Sequence, residues 1–414
     1  MAHQPTIQLT NQPTIFHKES IHVNNNNNPV SLPLPEIAAD FMLREDVAFF
    51  NHGSFGACPR PVFEVYQHWQ RELEKQPVDF LGRRARDLLT QARGHLAEFV
   101  GTVAGNLVFV PNVTHGVNFV AHSLNLQPGD EVLAPDQEYG AVQAVWEFVC
   151  QKKRAAYVTQ PISLPVSDPE TVVEQLWAGV NERTKVISIS HITSPTALIW
   201  PLAEICARAR EAGIITVIDG AHAVGQLDLD LEGLGADYYT GNCHKWLSGA
   251  KGSAFLYARP EGQAILEPLV VNWGWKNRSA DSSPLIDYFT WLGTDDPASY
   301  LAVPAAIDYQ RTHNWPAVRL ACHQLGREIR DQIQALSGLP HICPDSTGWW
   351  MQMFTVPLPP TIPDDASQRL WNEFQVEVPV SRREQGTFIR VSVQAYNTPQ
   401  HAERLLYGLK ALIA

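Results

Sequence analysis

Two short segments of the sequence combine residue types that could carry out acid–base and carbonyl chemistry. In the first, the apolar run Thr216–Ile218 ends in Asp219, which is followed by two small residues and His222. In the second, Lys245 follows the stretch Tyr238–Thr240 and stands between a histidine and a tryptophan. Burial disfavours the ammonium form of lysine, so such a lysine is a better nucleophile and base than a solvated one. Asp219 taken alone is more simply explained as the cap of the next helix.

An aspartate and a lysine at neighbouring strand ends are the pair that pyridoxal phosphate requires. The lysine amine forms a Schiff base with the aldehyde of the cofactor, and the carboxylate keeps the pyridine nitrogen protonated, so that the ring can accept electrons. We therefore predict pyridoxal phosphate as the cofactor, with Lys245 and Asp219 as catalytic residues.

These residues must be positioned by the elements around them, and the pattern from about residue 41 to residue 301 alternates short apolar runs with longer amphipathic stretches. Runs rich in Val and Ile between helical stretches favour a mostly parallel sheet that is covered on both faces. Ligands of such sheets bind at the carboxyl ends of the strands. The seven predicted strands are Leu107–Val110, Glu131–Ala134, Ala156–Thr159, Val186–Ser190, Ile214–Ile218, Tyr238–Thr240 and Ala254–Tyr257.

The C-terminal part of the chain has a different pattern. A long helical stretch, two apolar runs and a last helix are predicted there, at Pro304–Leu336, Trp349–Val356, Thr387–Val393 and His401–Ile413. We predict a flexible, Asn- and Pro-rich tail over residues 1–35, a large cofactor-binding α/β domain over 36–300 and a small α+β domain over 301–414. The residues before about Phe50 could pack with the small domain.

The composition limits the classes of function. Hydrophobic residues make up 45% of the 414 residues, which is enough to bury large cores, and the net charge of −12 argues against nucleic-acid binding. The sequence contains no apolar stretch of about 18 residues, and Met1–Glu19 lacks the pattern of a signal peptide. The six cysteines are scattered, without metal-ligand spacing. We expect a cytoplasmic enzyme with a small-molecule substrate and with no metal, membrane or nucleic-acid partner.

Several short motifs extend this interpretation. They are FNHGSFG at 50–56, PNVT at 111–114, SHITSPT at 190–196, DGAH at 219–222, HK at 244–245 and RVSVQAYN at 390–397. In this order they resemble the class V aminotransferase family of pyridoxal-phosphate enzymes, and within it the isopenicillin N epimerase-like branch. The resemblance runs from about Phe49 to Tyr396. It implies the fold type I architecture, with a seven-stranded sheet in the large domain.

The resemblance also implies contacts with the cofactor. His222 matches the residue at the ring hydroxyl, and the ring of Tyr139 matches one that lies over the cofactor, although both could be core residues instead. His244 and the turn at Val113 and Thr114 match phosphate contacts, at a helix start that favours anions. The implied cofactor-binding residues are Lys245, Asp219, His222, His244, Val113, Thr114, Tyr139, Thr193 and Thr294.

Further matches concern the substrate and the assembly. Arg390 matches the residue that binds the α-carboxylate of the substrate, as a planar bidentate donor suits, although a structural ion pair stays open. Asn51 and His52 match residues that approach the substrate at the mouth of the site. Thr294 matches a segment that reaches the phosphate of a neighbouring subunit, which implies a homodimer with shared active sites.

The resemblance leaves the reaction type open. Cysteine desulfurases carry a catalytic cysteine on the loop before the arginine strand, whereas the stretch 376–386 has none, which argues against persulfide chemistry. In that stretch Arg382 and Arg383 could meet an acidic group of the substrate or could simply be solvated. We expect an epimerase that acts at the α-carbon of an amino acid or an amino-acid derivative. A C–S lyase and an aminotransferase of the same class are the alternatives, and a non-catalytic pyridoxal-phosphate-binding protein is the alternative from another class.

Overall fold

A computed structural model describes residues 34–276 and 282–413 of the chain. The predicted tail therefore lies outside the described residues, except for its last two residues, which begin the first helix. The strands are, in chain order, β1 (Ala48–Phe49), β2 (Leu107–Val110), β3 (Glu131–Pro135), β4 (Ala156–Gln160), β5 (Thr184–Ser190), β6 (Ile215–Asp219), β7 (Tyr238–Asn242), β8 (Ala254–Ala258), β9 (Met353–Leu358), β10 (Val376–Glu377), β11 (Val380–Arg383) and β12 (Gly386–Ser392).

Helices connect and cover these strands. They are α1 (Leu34–Asp40), α2 (His52–Phe55), α3 (Arg60–Lys75), α4 (Pro77–Asp79), α5 (Ala85–Phe99), α6 (Val113–Ser123), α7 (Gly140–Lys153), α8 (Pro169–Trp177), α9 (Leu202–Glu211), α10 (Leu231–Leu234), α11 (Trp273–Lys276), α12 (Pro284–Thr290), α13 (Ala298–Leu301), α14 (Val303–Thr312), α15 (Trp315–Ser337), α16 (Ala366–Phe374) and α17 (Pro399–Ile413). A π-helical turn at Phe80–Arg84 joins α4 to α5, and 3-10 turns occupy Ala104–Asn106 and Pro260–Ile265. None of the described helices is long and apolar enough to cross a membrane.

The central sheet contains all seven predicted strands, in the order β2-β8-β7-β6-β5-β3-β4. Strand β8 runs antiparallel to both of its neighbours. The other neighbouring pairs, along β7-β6-β5-β3-β4, are all parallel. The predicted α/β class with a mostly parallel seven-stranded sheet is therefore confirmed.

Two apolar cores cover the two faces of this sheet. Alternate residues of a strand point to opposite faces, and in β6 Val217 belongs to one core while Ile218 belongs to the other. The same alternation separates Val132 from Leu133 in β3 and Val186 from Ile187 in β5. Burial on both faces explains why these strands are almost continuously apolar, and it leaves only the strand ends for polar side chains.

The chemistry-bearing residues follow the carboxyl ends of four adjacent parallel strands. Asp219 is the last residue of β6, and Ser190 is the last residue of β5. Lys245 comes shortly after β7, and Tyr139 comes shortly after β3 and precedes α7. The strand order β7-β6-β5-β3 therefore sets the order of these side chains along one edge of the sheet.

The C-terminal part builds a smaller antiparallel sheet in the order β11-β12-β9. Strand β11 was not predicted because its sequence, VSRR, is mostly polar. The predicted helix over 304–336 is also wrong as one element, because the chain leaves α14 at His313 and begins α15 at Trp315. Pro316 explains the break, since proline within a helix lacks the N–H and clashes with the preceding turn.

Residues near the start of the described chain pair with its C-terminal part. Strand β1 runs parallel to β10, with Ala48 opposite Val376 and Phe49 opposite Glu377. The boundary between a large domain at 36–300 and a small one at 301–414 stays a prediction.

Gly225 permits the close approach of two turns that build the edge of the sheet. Its φ is +92°, and a Cβ at this position would lie 2.5 Å from the backbone of Trp246 and Leu247. Gly129 has almost the same φ, +91°, but no atom lies within 4 Å of its Cβ position. A side chain at either position would strain the backbone, but only at position 225 would it also collide with neighbouring atoms.

We predict that Gly225→Ala lowers the stability more than Gly129→Ala does. A left-handed conformation costs a non-glycine residue about 1–2 kcal/mol, and Gly129→Ala should lose about that much. Gly225→Ala must in addition push the chain at Trp246 away, so its loss should be clearly larger. Denaturant unfolding of both variants measures the difference, and equal losses would contradict the steric argument.

Candidate active site

The edge of the sheet opens into a pocket of about 570 Å³. The polar side chains that follow β3, β5, β6 and β7 line it, together with the first residues of α6. The lining residues are Ser54, Phe55, Pro111, Asn112, Val113, Thr114, Tyr139, Ser190, Ile192, Ser194, Asp219, Ala221, His222, Asn242, His244, Lys245, Lys251 and Gly252. Seven of the predicted site residues thus meet in one cavity.

The amine of Lys245 lies on one side of this pocket. Burial lowers its pKa to about 8, while the negative charge of Asp219 opposes that shift and the positive charge of Arg390 adds to it. Its Nζ is 3.4 Å from Nε2 of His222. Near neutral pH more of this amine is therefore unprotonated than of an ordinary lysine, and the unprotonated form is the one that can attack a carbonyl or accept a proton.

The imidazole of His222 is held in one neutral form. The indole N–H of Trp246 donates to its Nδ1 at 3.3 Å, so Nε2 carries the ring proton and faces Lys245. Burial and the positive charge of Lys245 hold the pKa of His222 well below its usual value. This orientation lets Nε2–H donate to an unprotonated amine and disfavours an ammonium ion.

The carboxylate of Asp219 lies in the middle of the pocket edge and is 4% exposed. One of its oxygens, Oδ1, accepts the backbone N–H of Ala221 at 2.8 Å. Burial raises the pKa of Asp219, while that hydrogen bond and the charge of Lys245 oppose the rise. Because Oδ1 is engaged, Oδ2 is the oxygen available for a cationic N–H in the pocket.

His52 lies beneath Lys245 and not at the mouth of the site, where the sequence placed it. Its side chain is fully buried, and burial lowers its pKa to about 3. Nε2 is 3.0 Å from the carbonyl oxygen of Lys245, which can only accept, so Nε2–H donates and Nδ1 accepts from the hydroxyl of Tyr396 at 2.9 Å. In this structure His52 positions the backbone of Lys245.

The start of α6 forms the other end of the pocket. Thr114 is the second residue of this helix, so its backbone N–H has no intrahelical acceptor and points to the helix start, which favours anions. The N–H of Val113 is already bonded to Oδ1 of Asn242 at 3.0 Å, so Val113 lines the site without a free donor of its own. His244 donates through Nδ1 to the carbonyl of Ser253, which leaves Nε2 as its free nitrogen.

Arg390 lies beside the pocket and is clamped by two serines that line it. Its Nη1 donates to the carbonyl oxygen of Ser194 at 2.6 Å, and its Nη2 donates to the hydroxyl of Ser54 at 3.2 Å. The hydroxyl of Ser54 in turn donates to Asn51, whose amide donates to Glu377. Asn51 thus acts on Arg390 through Ser54. The Nε of Arg390 is buried and has no hydrogen-bond partner among the described residues.

Two predicted cofactor-binding residues do not line this pocket. Thr193 is fully buried and its hydroxyl is bonded to Thr196 and to the backbone of Leu198. Thr294 is exposed and lies beside Gly293, which lines a separate groove. Their contacts with a cofactor stay predictions.

The sequence analysis missed four residues that the geometry places at the site. Ser54 and Ser194 hold Arg390, Asn242 holds the start of α6, and Lys251 lines the pocket. Asn242 could have been found, since it is the last residue of β7, where a polar residue is expected to face a ligand. The two serines carry no local signal, because only the tertiary fold brings them to Arg390.

We predict that Asp219→Asn lowers the pKa of Lys245 further below its value of about 8, because the aspartate charge favours the ammonium form. In protein freed of any bound cofactor, the rate of Lys245 acylation followed by peptide mapping should then reach half its maximum at a lower pH. Glu131→Gln is the control, because it removes a buried carboxylate at the opposite end of β3. Equal midpoints in Asp219→Asn and the unsubstituted protein would contradict the assigned interaction.

Comparison with known proteins adds independent support for the fold and the ancestry. The family model "Aminotransferase class-V" matches residues 56–405. An isopenicillin N epimerase of Amycolatopsis lactamdurans is 37% identical over 380 residues, which cover 88% of this chain and 95% of that protein. A putative L-cysteine desulfhydrase 1 of Oryza sativa subsp. japonica is 28% identical, over 92% of this chain and 86% of the relative.

Solved structures show the same architecture. A cystine C–S lyase, C-DES, solved in complex with its reaction product cysteine persulfide, superposes with a TM-score of 0.77 at 22% identity, over 89% of this chain and 98% of that one. An apo cysteine desulfurase of Thermococcus onnurineus NA1 gives 0.78 at 19% identity, over 92% and 98%. By its sequence and its fold, the chain belongs to the class V aminotransferase family.

Proposed function

We propose that the protein is a pyridoxal-phosphate-dependent enzyme that epimerises an amino acid or an amino-acid derivative at its α-carbon. The observation that carries this proposal is the pocket in which the amine of Lys245 and the carboxylate of Asp219 meet at the ends of adjacent strands. The amine has a pKa of about 8 and the carboxylate has one free oxygen. Relatives that are 34–37% identical and are named isopenicillin N epimerase support the reaction type.

The residues of the pocket fit pyridoxal phosphate. Lys245 would bind its aldehyde, Oδ2 of Asp219 would accept from its pyridinium N–H, and His222 would lie near its ring hydroxyl. The start of α6 with Thr114, and His244 beside it, would hold the phosphate. When bound, the cofactor would supply an electron-withdrawing ring that stabilises negative charge at the α-carbon of the substrate.

Arg390 would bind the carboxylate of the substrate. A half-buried guanidinium whose buried Nε lacks a partner among the described residues is poised for an anion, since charged groups away from water require compensation. Burial lowers the pKa of Arg390 to about 10, and an anionic ligand would reverse that shift. Because a carboxylate next to the α-carbon is common to amino acids, this contact would orient that carbon toward Lys245.

A C–S lyase is the second candidate function. Relatives that are named L-cysteine desulfhydrase, at 28% identity and below, support it. The segment 376–386 contains no cysteine, so a lyase here would act without a persulfide on that loop. A non-catalytic cofactor-binding protein is disfavoured because such a protein has no need for a low-pKa amine and a substrate clamp together.

We further propose that the enzyme is a homodimer of the cytoplasm. Val270, Val271, Trp273 and Trp275 are between 51% and 70% exposed, and Trp273 lines the same groove as Gly293. A second copy of the chain would cover this apolar surface and would bring the neighbouring Thr294 to the partner's phosphate. The six cysteines are all unpaired, as in proteins of a reducing compartment.

We predict that borohydride treatment of the enzyme saturated with pyridoxal phosphate attaches the cofactor permanently to Lys245. Peptide mapping should find the tag on Lys245 and on no other lysine. The visible absorbance should vanish in Lys245→Ala and persist in Lys251→Ala, the matched control from the same pocket. A tag elsewhere would refute the proposed function.

We also predict the outcome of incubating single enantiomers in deuterated water. With isopenicillin N, the recovered product should carry deuterium at the α-carbon with inverted configuration. L-cysteine tests the lyase, which would release pyruvate and sulfide, and a keto acid with aminated cofactor would identify an aminotransferase. Because Arg390 anchors the carboxylate, Arg390→Gln should raise KM strongly in whichever reaction is found.

A further inference from the structure

Inversion of the α-carbon by two residues requires a proton-transferring group on each face. Only Lys245 has been given such a role so far. A group that removes the α-proton from one face returns a proton to that same face as long as neither it nor the substrate changes position. Lys245 can serve one face only while the substrate stays bound to Arg390. The following inference rests on the proposed epimerisation and concerns the group on the other face.

The strand order places Tyr139 across the pocket from Lys245. The two residues follow β3 and β7, and β5 and β6 lie between those strands. Neighbouring strands are about 4.8 Å apart, so three intervals separate the two residues by roughly 14 Å at the level of the backbone. Asp219, at the end of β6, lies between them. The amine and the phenol therefore enter the same pocket from strands on either side of Asp219.

Each of the three residues before Tyr139 has a side chain that accepts a hydrogen bond from another segment of the chain. Oδ2 of Asp136 accepts from the amide of Gln385 at 2.5 Å. The side-chain oxygen of Gln137 accepts from Thr196, also at 2.5 Å. The buried carboxylate of Glu138 accepts both the backbone N–H and the hydroxyl of Ser190, at 2.9 and 2.7 Å. The residues that lead to Tyr139 are thus held in place.

The hydroxyl of Tyr139 lies close enough to Arg390 for their charges to interact, since the phenolate form raises the pKa of that guanidinium. Tyr139 is 47% exposed, so water can restore its proton. The other titratable side chains that line the described pocket follow β6 or β7, where His222 and His244 flank Lys245.

We propose that Tyr139 is the second catalytic acid–base residue of the enzyme. In one direction Nζ of Lys245 takes the α-proton, and the C–H electron pair stays on the substrate. The O–H bond of Tyr139 then breaks and its proton forms the new C–H bond on the opposite face. The resulting phenolate takes a proton from water, and the ammonium of Lys245 returns one to water, so that no net charge is transferred. In the reverse direction the two residues exchange roles.

The test is Tyr139→Phe, which keeps the aromatic ring and removes only the hydroxyl. In deuterated water, inversion of isopenicillin N should fall at least about 100-fold, the usual contribution of a general acid. One epimer should still exchange its α-hydrogen with retained configuration through Lys245, whereas the other epimer should not exchange. The dissociation constant for pyridoxal phosphate, titrated spectroscopically into cofactor-free protein, should change less than about two-fold. Tyr157→Phe, on β4 and outside the pocket lining, is the matched control.

The outcomes separate this inference from the proposed function. Inversion by Tyr139→Phe at the wild-type rate, or equal loss of exchange from both epimers with the cofactor bound, overturns the role of Tyr139 alone. If the wild-type enzyme exchanges the α-hydrogen of neither epimer, the proposed epimerisation fails as well.

The wild-type protein decides the question if the variant does not fold. Two residues on opposite faces produce a fully deuterated product in the first turnover. Product that retains substrate-derived hydrogen would show that one residue serves both faces and would overturn the inference.

Discussion

The structure depends on one electrostatic balance, between a desolvated amine at Lys245 and a desolvated carboxylate at Asp219. Burial pushes the pKa of the amine down and that of the carboxylate up, and the charge of each partner opposes the shift of the other. The sheet creates this balance because β6 and β7 are parallel neighbours whose ends deliver both groups to one edge. The balance leaves a reactive amine next to a carboxylate that is available to a cation.

A buried polar network links this balance to the C-terminal part of the chain. His52 joins the carbonyl of Lys245 to the hydroxyl of Tyr396. On the other side, Gln226 donates to the carbonyl of His222 and accepts the backbone N–H of Gln352. Buried polar networks of this kind fix unique geometry when their members are satisfied. The floor of the site is therefore determined by contacts between segments that are more than a hundred residues apart.

The sequence predicted the features that local patterns encode. The seven strands and the positions of Asp219 and Lys245 follow from apolar runs that end in polar residues, and a short-range rule suffices for them. The sequence could not place His52, because its burial beneath Lys245 is a property of the tertiary fold. It could not show that the N–H of Val113 is already engaged by Asn242, a partner 129 residues away. Pro316 could have indicated the break between α14 and α15, but the amphipathic pattern continues on both sides of it and predicted a single helix.

The pairing of β1 with β10 has a consequence for the smallest functional unit of this protein. The few residues after β1 supply both the histidine under the reactive amine and the serine on the guanidinium, and their backbone is tied to the far end of the chain. A fragment trimmed to the seven-stranded sheet would keep Asp219 and Lys245 yet lose Arg390 and the histidine that contacts the backbone of Lys245. An active fragment would therefore need the segment around β1 and the C-terminal part of the chain in addition to the seven-stranded sheet.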